Sequence, residues 1–218
     1  MEKRKILLGG YDTAEELWTL SAWKFSDPTH EQNLVKIPGS SVTLDLSDAL
    51  SDGEPAYNTR TLTATFETSE GDRLERKTRI TEMVNRLDGR RMDIILPDDP
   101  DRYITGRVSV QVGYNDPAHA SVSITAVCDP WRYSDTDTVV TLTAASSEKT
   151  ATLTNTGRKP VIPTVEVTGS VTLTFEEQTH ALTAGSYILP DIYLTPGDHA
   201  LTYKGSGAVT LTYREAIL

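Results

Sequence analysis

The residue types that most often carry catalysis or bind metals are present in this sequence, but they do not come together along it. The four histidines lie far apart, and none has another His or a Cys at a spacing that would place two metal ligands side by side. They are His30, His119, His180 and His199. The sequence also lacks a G-x-S-x-G nucleophile turn, a phosphate-binding P-loop and a G-x-G-x-x-G fingerprint. We therefore expect no catalytic, cofactor-binding or metal-binding residue.

One loop is rich in carboxylates, which are the ligands that a hard cation such as Ca²⁺ prefers. Asp98, Asp99 and Asp101 lie close together and are interrupted by Pro97 and Pro100. The two prolines are typical of a turn between two strands, and we interpret the loop as an exposed turn. A glycoside hydrolase needs a pair of acids, and nothing singles out one pair among the 31 acidic residues.

The single cysteine, Cys128, ends a run in which apolar residues alternate with small polar ones. This position predicts an inert thiol in the core rather than a reactive nucleophile, because no basic residue stands near it in the sequence. One cysteine excludes an internal disulfide, which suits synthesis in a reducing cytoplasm.

Basic residues cluster around one segment and could face phosphate groups or an acidic partner. Glu75, Glu82 and Asp88 are interleaved with them, which favours a solvated or subunit-facing surface. The cluster consists of Arg73, Arg76, Lys77, Arg79, Arg86, Arg90 and Arg91. Trp18, Trp23 and Trp131 could stack on sugars, but tryptophans placed at strand ends, as Trp23 and Trp131 are, are more typical of core or interface anchors.

Length and charge narrow the class of protein. The 218 residues, 38% of them hydrophobic, are enough for one large domain or two modest ones. The net charge of −10 disfavours a binder of nucleic acid. No apolar run reaches the roughly 20 residues that a membrane helix needs, and the basic N-terminus is followed only by the short apolar run 6–8. We expect neither a membrane span nor a signal peptide.

Most of the chain has the period-two alternation of strands, and Thr occurs 31 times, much of it on the polar face. In 42–46, 60–68 and 120–128 the apolar residues fall on one face, which predicts half-buried strands. Strands are also indicated at 106–114 and at 91–96. The pattern predicts a mainly β protein built from sandwiches or barrels.

One segment has helical periodicity, with Ile80, Met83, Val84 and Leu87 on a single stripe. Its ends also carry start and stop signals: Asp72 with Glu75 three residues later predicts an N-terminal cap, and Gly89 suits a left-handed residue after the last turn. We predict one helix over about 73–88.

The sequence pattern changes after Asp135. We place a domain boundary there, which divides the chain into domains 1–135 and 136–218. The second domain shows strand patterns at 138–144, 150–154, 164–168, 171–175, 178–183, 186–189 and 198–203, and again at 208–214. Glu176 and Glu177 predict a tight hairpin turn. Lys204–Gly207 (KGSG) predicts another turn between two strands.

The order of these features resembles the distal tail (Dit) family of long non-contractile phage tails. The first part carries a Pro-Gly turn before a short strand, a Tyr-Asn pair entering a long strand, the helix, and a closing Cys-Asp-Pro. The residues that match are Pro38, Gly39, Leu44, Asp45, Tyr57, Asn58, Arg60, Gly89, Asp99, Gly106, Cys128, Asp129 and Pro130. The second part resembles the galectin-like sandwich of this family at Asn155, Gly157 and Pro163.

The resemblance implies a structural hub without catalysis, cofactor or metal. Six copies of 1–135 would form a ring, and 136–218 would be a galectin-like, jelly-roll-like sandwich pointing outward. The implied partners are the tail tube protein, the tail-associated lysin or tip protein, and receptor-binding or side-fibre proteins. DNA would pass through the ring without specific binding, and the protein would not insert into a membrane. Its location would be the tail tip of the virion, after synthesis in the bacterial cytoplasm.

Two alternatives remain open at this point. The second domain could be a carbohydrate- or receptor-binding module of a baseplate, with His180, Tyr187, Tyr193 and Tyr203 available for a site. The chain could also be a wall-degrading hydrolase, although no constellation of residues supports one.

Overall fold

The computed structural model describes residues 4–49 and 55–218 of the chain. Contacts divide the chain into two compact units, of which the first ends at Pro130 and the second spans Trp131–Leu218. Each unit has its own apolar core. The mainly β architecture predicted from the alternation of apolar residues is confirmed.

The first unit contains nine strands and one helix among its described residues. Seven strands form one antiparallel sheet in the order β2-β1-β7-β8-β9-β6-β3, and β4 and β5 form a separate two-stranded sheet. The elements are β1 (Leu7–Leu8), β2 (Tyr11–Asp12), β3 (Thr19–Phe25), β4 (Leu34–Lys36), β5 (Thr43–Asp45), β6 (Arg60–Thr68), α1 (Arg73–Leu87), β7 (Arg91–Leu96), β8 (Asp99–Asn115) and β9 (Ala120–Cys128).

The core of this unit lies on one face of the large sheet. Every second residue of β6 and β9 is buried, as predicted, while the residues between them are mostly Ser and Thr. Residues from α1 complete the core with Ile80, Met83 and Leu87. The apolar face of β8 is only partly buried: Val108 lies in the core, whereas Val112 is exposed near the far end of the strand.

The predicted caps of α1 are confirmed. Asp72 accepts hydrogen bonds from the backbone N–H groups of Leu74 and Glu75, and the Glu75 carboxylate accepts one from the N–H of Asp72. The bonds from Glu75 and then Leu74 hold the pKa of Asp72 below its usual range. At the other end Gly89 has φ +70°, the left-handed conformation that suits glycine.

The second unit is built entirely from strands. These are β10 (Arg132–Ser134), β11 (Thr138–Ala144), β12 (Lys149–Asn155), β13 (Thr164–Phe175), β14 (Gln178–Ile188), β15 (Gly197–Tyr213) and β16 (Ala216–Ile217). A small antiparallel pair joins β10 to β16. The predicted turn at Glu176 and Glu177 is confirmed, and Glu176 adopts φ +51° to make it.

Three long strands of this unit continue through positions where the sequence predicted interruptions. The prediction of a turn at Lys204–Gly207 is wrong: these residues lie inside β15, which pairs with every residue of β13. The first half of β15 also pairs with β12 and its second half with β11. Likewise 164–168 and 171–175 are parts of β13, and 178–183 and most of 186–189 belong to β14.

Glycines allow these strands to bend without leaving the ladder. Gly169, Gly205 and Gly207 all have positive φ, and a Cβ on Gly207 would lie 1.5 Å from the carbonyl oxygen of Thr168. Buried residues on both sides of these glycines belong to one core, so both halves of the long strands pack on it.

Candidate assembly surface

The residues of the first part on which the family resemblance was based fall into two groups and two single positions in the structure. Pro38, Gly39, Leu44 and Asp45 lie on the β4–β5 hairpin, and Tyr57 and Asn58 lie at its base. Arg60, Gly106, Cys128, Asp129 and Pro130 meet at one end of three neighbouring strands. Gly89 and Asp99 stand apart from both groups.

The hairpin is a separate feature attached to the rest of the unit at a narrow base. We call residues 31–49, which contain β4 and β5, the arm. His30 and Tyr57 form an isolated bridge at its base, with their ring centroids 4.8 Å apart. The Nδ2 of Asn58 donates to the carbonyl oxygen of His30 at 3.0 Å, and the Asn58 N–H donates to the carbonyl of Thr29 at 2.9 Å. Tyr57 and Asn58 therefore hold the arm where it leaves the sheet.

One face of the arm is aliphatic. Val35 and Leu44 are paired directly across the two strands, and alternation puts Ile37 and Val42 on the same face. All four side chains are exposed, Val42 to 64%. The sequence analysis predicted a strand at 42–46 with a buried apolar face. The apolar face is present, but the prediction that it is buried is wrong, because no described residue covers it.

Hydrogen bonds define the turn at the tip of the arm and the end of β5. Gly39 has φ +79°, and the N–H of Ser40 donates to the carbonyl of Ile37 at 3.1 Å, which together with Pro38 makes a type II turn. Asp45 accepts hydrogen bonds from Ser47 Oγ at 2.6 Å and from the Ser47 N–H at 3.0 Å. These bonds hold the pKa of Asp45 below its usual range, so the carboxylate is charged at neutral pH.

Arg60 is the centre of the second group. It is buried, its Nε donates to the carbonyl of Ser26 at 2.8 Å, and its Nη1 donates to that of Pro130 at 3.4 Å. Its guanidinium also lies over the ring of Phe25. A charged side chain buried in this way acts as a brace between β3, the start of β6 and the end of the unit.

Gly106 and Cys128 are neighbours across β8 and β9. A Cβ on Gly106 would lie 2.6 Å from the Cys128 sulfur, so only glycine fits beside this thiol. Burial raises the pKa of Cys128 from 9.0 to about 11, which keeps the thiol protonated. The next residue, Asp129, forms an ion pair with Arg91 at 2.5 Å. The backbone N–H of Asp129 donates to the carbonyl of Thr105.

The remaining predicted positions have local roles. Gly89 donates its N–H to the carbonyl of Val108 at 2.9 Å, which fastens the end of α1 to β8. Asp99 pairs with Arg102 at 3.1 Å just after the turn between β7 and β8. In the second unit, the buried Asn155 donates to the carbonyls of Lys159 and Leu194 at 3.0 Å, and the N–H of Gly157 donates to its side-chain oxygen.

The basic cluster is not a uniform surface. Arg76 is 1% exposed, and its guanidinium donates to the backbone carbonyls of Gly71, Asp116 and Pro117. The prediction that it belongs to a solvated or subunit-facing surface is therefore wrong for this residue. It ties the start of α1 to the loop between β8 and β9, where three carbonyl oxygens compensate the buried charge.

A surface that the sequence analysis missed lies beside Arg76, between α1 and β8. It is an open groove of about 610 Å³ lined by Arg73, Leu74, Lys77, Ile80, Thr81, Val112 and Asn115. We call it the helix groove. Leu74 is 71% exposed and Val112 is also exposed, so the groove presents apolar walls to solvent. The signal was present in the sequence, because Leu74 lies outside the predicted helical stripe and Val112 lies at the end of an alternating run.

The residues considered for sugar binding do not form a common exposed surface. Tyr203 is buried, and the hydroxyl of Tyr187 donates to the carbonyl of Thr183 at 3.0 Å. His180 lies 3.4 Å from Asp191, and Tyr193 is exposed. Trp18 is buried in the core of the first unit, and Trp23 packs against that core.

The described parts of the chain hold neither a cluster of metal ligands nor a membrane-spanning helix. Within 4–49 and 55–218, no group of three or more His, Cys, Asp or Glu side chains could hold a metal ion. The helix in these residues is too short and too polar to span a bilayer.

Comparison with solved structures agrees with the fold. No protein-family model matches the chain. A search of curated proteins also found no match. Among solved structures, the chain is similar to the SPP1 Dit (gp 19.1) protein, described as a paradigm of the hub adsorption apparatus in phages that infect Gram-positive bacteria. The TM-score is 0.72 at 15% identity, over 98% of this chain and 99% of the other. The Dit-like fold predicted from the sequence is therefore confirmed.

Proposed function

We propose that this protein is a structural hub of a phage tail tip, a distal tail protein whose copies assemble into a hexameric ring. The ring joins the tail tube to the tip or tail-associated protein, and the second unit serves as an attachment point for receptor-binding proteins. Support comes from the fold shared with the SPP1 hub protein over nearly the whole of both chains. The protein works in the virion tail and needs neither catalysis nor a cofactor for this role.

The observation that carries the proposal is the exposed aliphatic face of the arm. An isolated two-stranded hairpin is at best marginally stable in water. This hairpin also presents Val35, Ile37, Val42 and Leu44 to solvent on one side. A second copy that covers this face would gain apolar burial and give the arm support that the described residues of its own chain do not provide.

The contact expected from such an arm is directional. The arm belongs to one side of the interface and its receptor to the other, so the interface joins two different surfaces. Heterologous contacts of this kind generate closed rings when the rotation between copies closes. The large sheet likewise ends in two different edge strands, β2 and β3, whose backbone groups can pair with a neighbour.

The charge of the chain suits a channel for DNA. Six copies would carry a formal charge of about −60, since each carries −10. Phosphates bind to proteins mainly through basic side chains that release counterions, and an acidic ring offers little of that affinity. DNA would therefore pass without being retained.

Mass measurement and imaging of the purified protein test the proposal together. Light scattering over a concentration series should give a species of about 143 kDa, six chains of 23.9 kDa each. Negative-stain electron microscopy of that species should show annular particles with six-fold symmetry and a central hole. A mass of 23.9 kDa at every concentration, with no annular particle, would contradict the self-assembling ring.

A further inference from the structure

We propose that the helix groove binds an extended segment of a different protein, which adds as a strand to β8 and carries aliphatic and acidic side chains on one face. Binding there uses the groove of a single copy. It rests on the proposed function only for the kind of partner, another protein of the tail tip.

Strand β8 runs past its neighbour β7 on the side of the groove. The ladder between β7 and β8 ends at Arg107, whereas the ladder between β8 and β9 continues to Asn115. The N–H and C=O groups on the free side of a strand need another partner, and such an edge accepts a strand from a second chain. The second half of β8 is therefore an edge that β7 does not cover.

The residues that follow α1 partner only the first part of this edge. The N–H of Val108 donates to the carbonyl of Arg90 at 2.9 Å, and the N–H of Val110 donates to the Asp88 carboxylate at 2.8 Å. Backbone groups of every second residue point to the same side of a strand, so those of Val112 point there too. An added strand can exchange two hydrogen bonds with Val112.

The helix groove lies over the place that such a strand would take. Val112 is on the same face of β8 as the core residue Val108, and it lines the groove together with Leu74 and Ile80. Side chains of directly paired residues share a face, so the residue paired with Val112 would point into the groove. Leu74 is 71% exposed and Val112 53%, and an aliphatic side chain between them would cover both.

The charge of the groove requires acids on the same segment. Arg73 and Lys77 line it, and in the part of the chain that the structure describes no carboxylate lies within 4.0 Å of either one. The carboxylates of Asp72 and Asp116 interact with the buried Arg76. Carboxylates of a partner would meet two cations that the described fold leaves without an ion pair.

Two of the groove residues are unfavourable for the helix itself. Arg73 is the first residue of α1, where the helix dipole favours an acid and disfavours a cation. Leu74, next to it, exposes an aliphatic side chain to water. Residues that break a local rule of stability are typical of functional surfaces, and here two of them adjoin in one groove.

The longer sheet edges of a second copy do not offer the required segment. Strands β3, β11, β12 and β14 contain no acidic residue. On the arm, Val42, Leu44 and Leu46 share one face, and Asp45 lies on the other. The groove needs the order acid-x-aliphatic-x-acid, because only alternate residues of a strand share a face. We therefore assign the groove to another protein.

Peptide binding to the full-length protein tests this assignment. The probe is the fluorescein-labelled peptide TDTLTDTLTDT, which has Leu and Asp on one face when it is extended. Fluorescence anisotropy at low salt should give a Kd below about 1 mM. The same peptide with Ser in place of Leu, or with Lys in place of Asp, should bind at least about tenfold more weakly. Equal binding of all three peptides, or of none, would overturn the proposal.

Charge reversal in the groove should change which peptide is preferred. Arg73→Glu/Lys77→Glu should bind TDTLTDTLTDT about tenfold more weakly than the parent protein and should bind TKTLTKTLTKT better. The control Lys24→Glu/Lys149→Glu changes the net charge by the same amount at exposed positions outside the groove, and it should bind like the parent. Equal losses in both double variants would mean that net charge, not the groove, attracts the peptide.

Hydrogen exchange followed by mass spectrometry tests the added strand. The bound acidic peptide should slow exchange in the segment 109–115 at least about tenfold, because its backbone would occupy the free edge of β8. Binding without this protection would overturn strand addition.

Electron microscopy of the same samples separates this proposal from the ring. Annular particles that bind no peptide would overturn the groove assignment and leave the hub in place. Rings that dissociate when the peptide binds would identify a second copy as the occupant, which also overturns it. A monomer that binds the peptide and never forms rings would contradict the ring alone.

Discussion

The guanidinium carbon of Arg60 lies 3.7 Å from the centroid of the Phe25 ring, which places a cation directly on an aromatic face inside the first unit. Arg60 begins β6 and Phe25 ends β3, so the contact closes the corner from which the arm departs. The same guanidinium holds the carbonyls of Ser26 and Pro130. One side chain thus organises both the root of the arm and the end of the unit.

Removing this brace should destabilise the first unit. We expect Arg60→Leu to lower the free energy of unfolding by about 3 kcal/mol, because it removes the hydrogen bonds to the carbonyls of Ser26 and Pro130 and deletes the contact with Phe25. Arg60→Lys should lose less, since an ammonium keeps the charge but cannot reproduce the planar fork. Urea denaturation followed by tryptophan fluorescence measures the loss. Lys24→Leu, at an exposed position on β3, is the control, and an equal loss from both leucine variants would contradict the prediction.

Polar substitution on the aliphatic face of the arm should weaken assembly without weakening the fold. Ile37→Ser/Val42→Ser removes two exposed aliphatic side chains that the proposed contact between copies would bury. The association free energy should fall by about 3 kcal/mol or more, which raises the Kd between copies at least about 100-fold. Sedimentation velocity over a concentration series gives the Kd, and thermal melting checks that the fold is intact. The control Val139→Ser/Ile188→Ser changes two exposed side chains of the second unit, and it should leave assembly unchanged.

In the second unit, alanine should destabilise the fold more at Gly207 than at Gly197. Gly207→Ala places a methyl group against the carbonyl of Thr168, on backbone with φ +100°, and should cost about 4 kcal/mol or more. Gly197→Ala also has positive φ but meets nothing within 4 Å, so only the backbone strain of about 1–3 kcal/mol applies. Denaturant midpoints of the two variants measure the difference. Similar midpoints would mean that β13 and β15 can move apart at the bend.

Cys128 should make stability fall as the pH rises through the alkaline range. Between pH 9 and 11 the thiol of the unfolded chain loses its proton, while burial keeps the folded thiol protonated because its pKa is about 11. Unfolding then releases a proton, and the free energy of unfolding decreases with pH. From pH 8 to 10.5 the Cys128→Ala variant should lose about 1–2 kcal/mol less stability than the parent protein. Urea midpoints under reducing conditions measure this difference.

Tyr11 provides the internal reference for that experiment. Burial raises its pKa from 10.0 to about 12, so it also weakens the fold in alkali, and it does so in both proteins. The parent and Cys128→Ala curves should therefore both fall, with different slopes between pH 9 and 11. Parallel curves would contradict the role of the thiol.

The elements that could be predicted from sequence are those whose signals are local. The capping residues and the stripe of α1 lie within 18 residues of one another, and the structure has the helix at Arg73–Leu87. Strands β6 and β9 were predicted because every second residue is apolar, and each is buried on one face. The hairpin turn at Glu176 was predicted because its two strands adjoin it directly.

The features that could not be predicted depend on what lies across space. Alternation at 42–46 shows which side chains share a face, but not whether the protein's own core covers that face. Lys204–Gly207 has the composition of a turn, and only pairing with β13 along both halves makes it part of one strand. Arg76 has the sequence context of a surface cation, but it is buried against a loop 40 residues away in the sequence, to which its guanidinium donates a hydrogen bond. The helix groove likewise arises from two elements that are distant in sequence.

The long strands of the second unit have a mechanical consequence. Because β14 and β15 pair with β13 on both sides of Gly169, neither half of the sheet can separate without disturbing strands that the other half shares. In the proposed tail-tip role, the protein would be loaded when a virion, tethered to its receptor, is pulled by thermal motion or flow. A domain whose two halves share their strands should resist such a load as one cooperative unit and rupture in a single step rather than by gradual fraying.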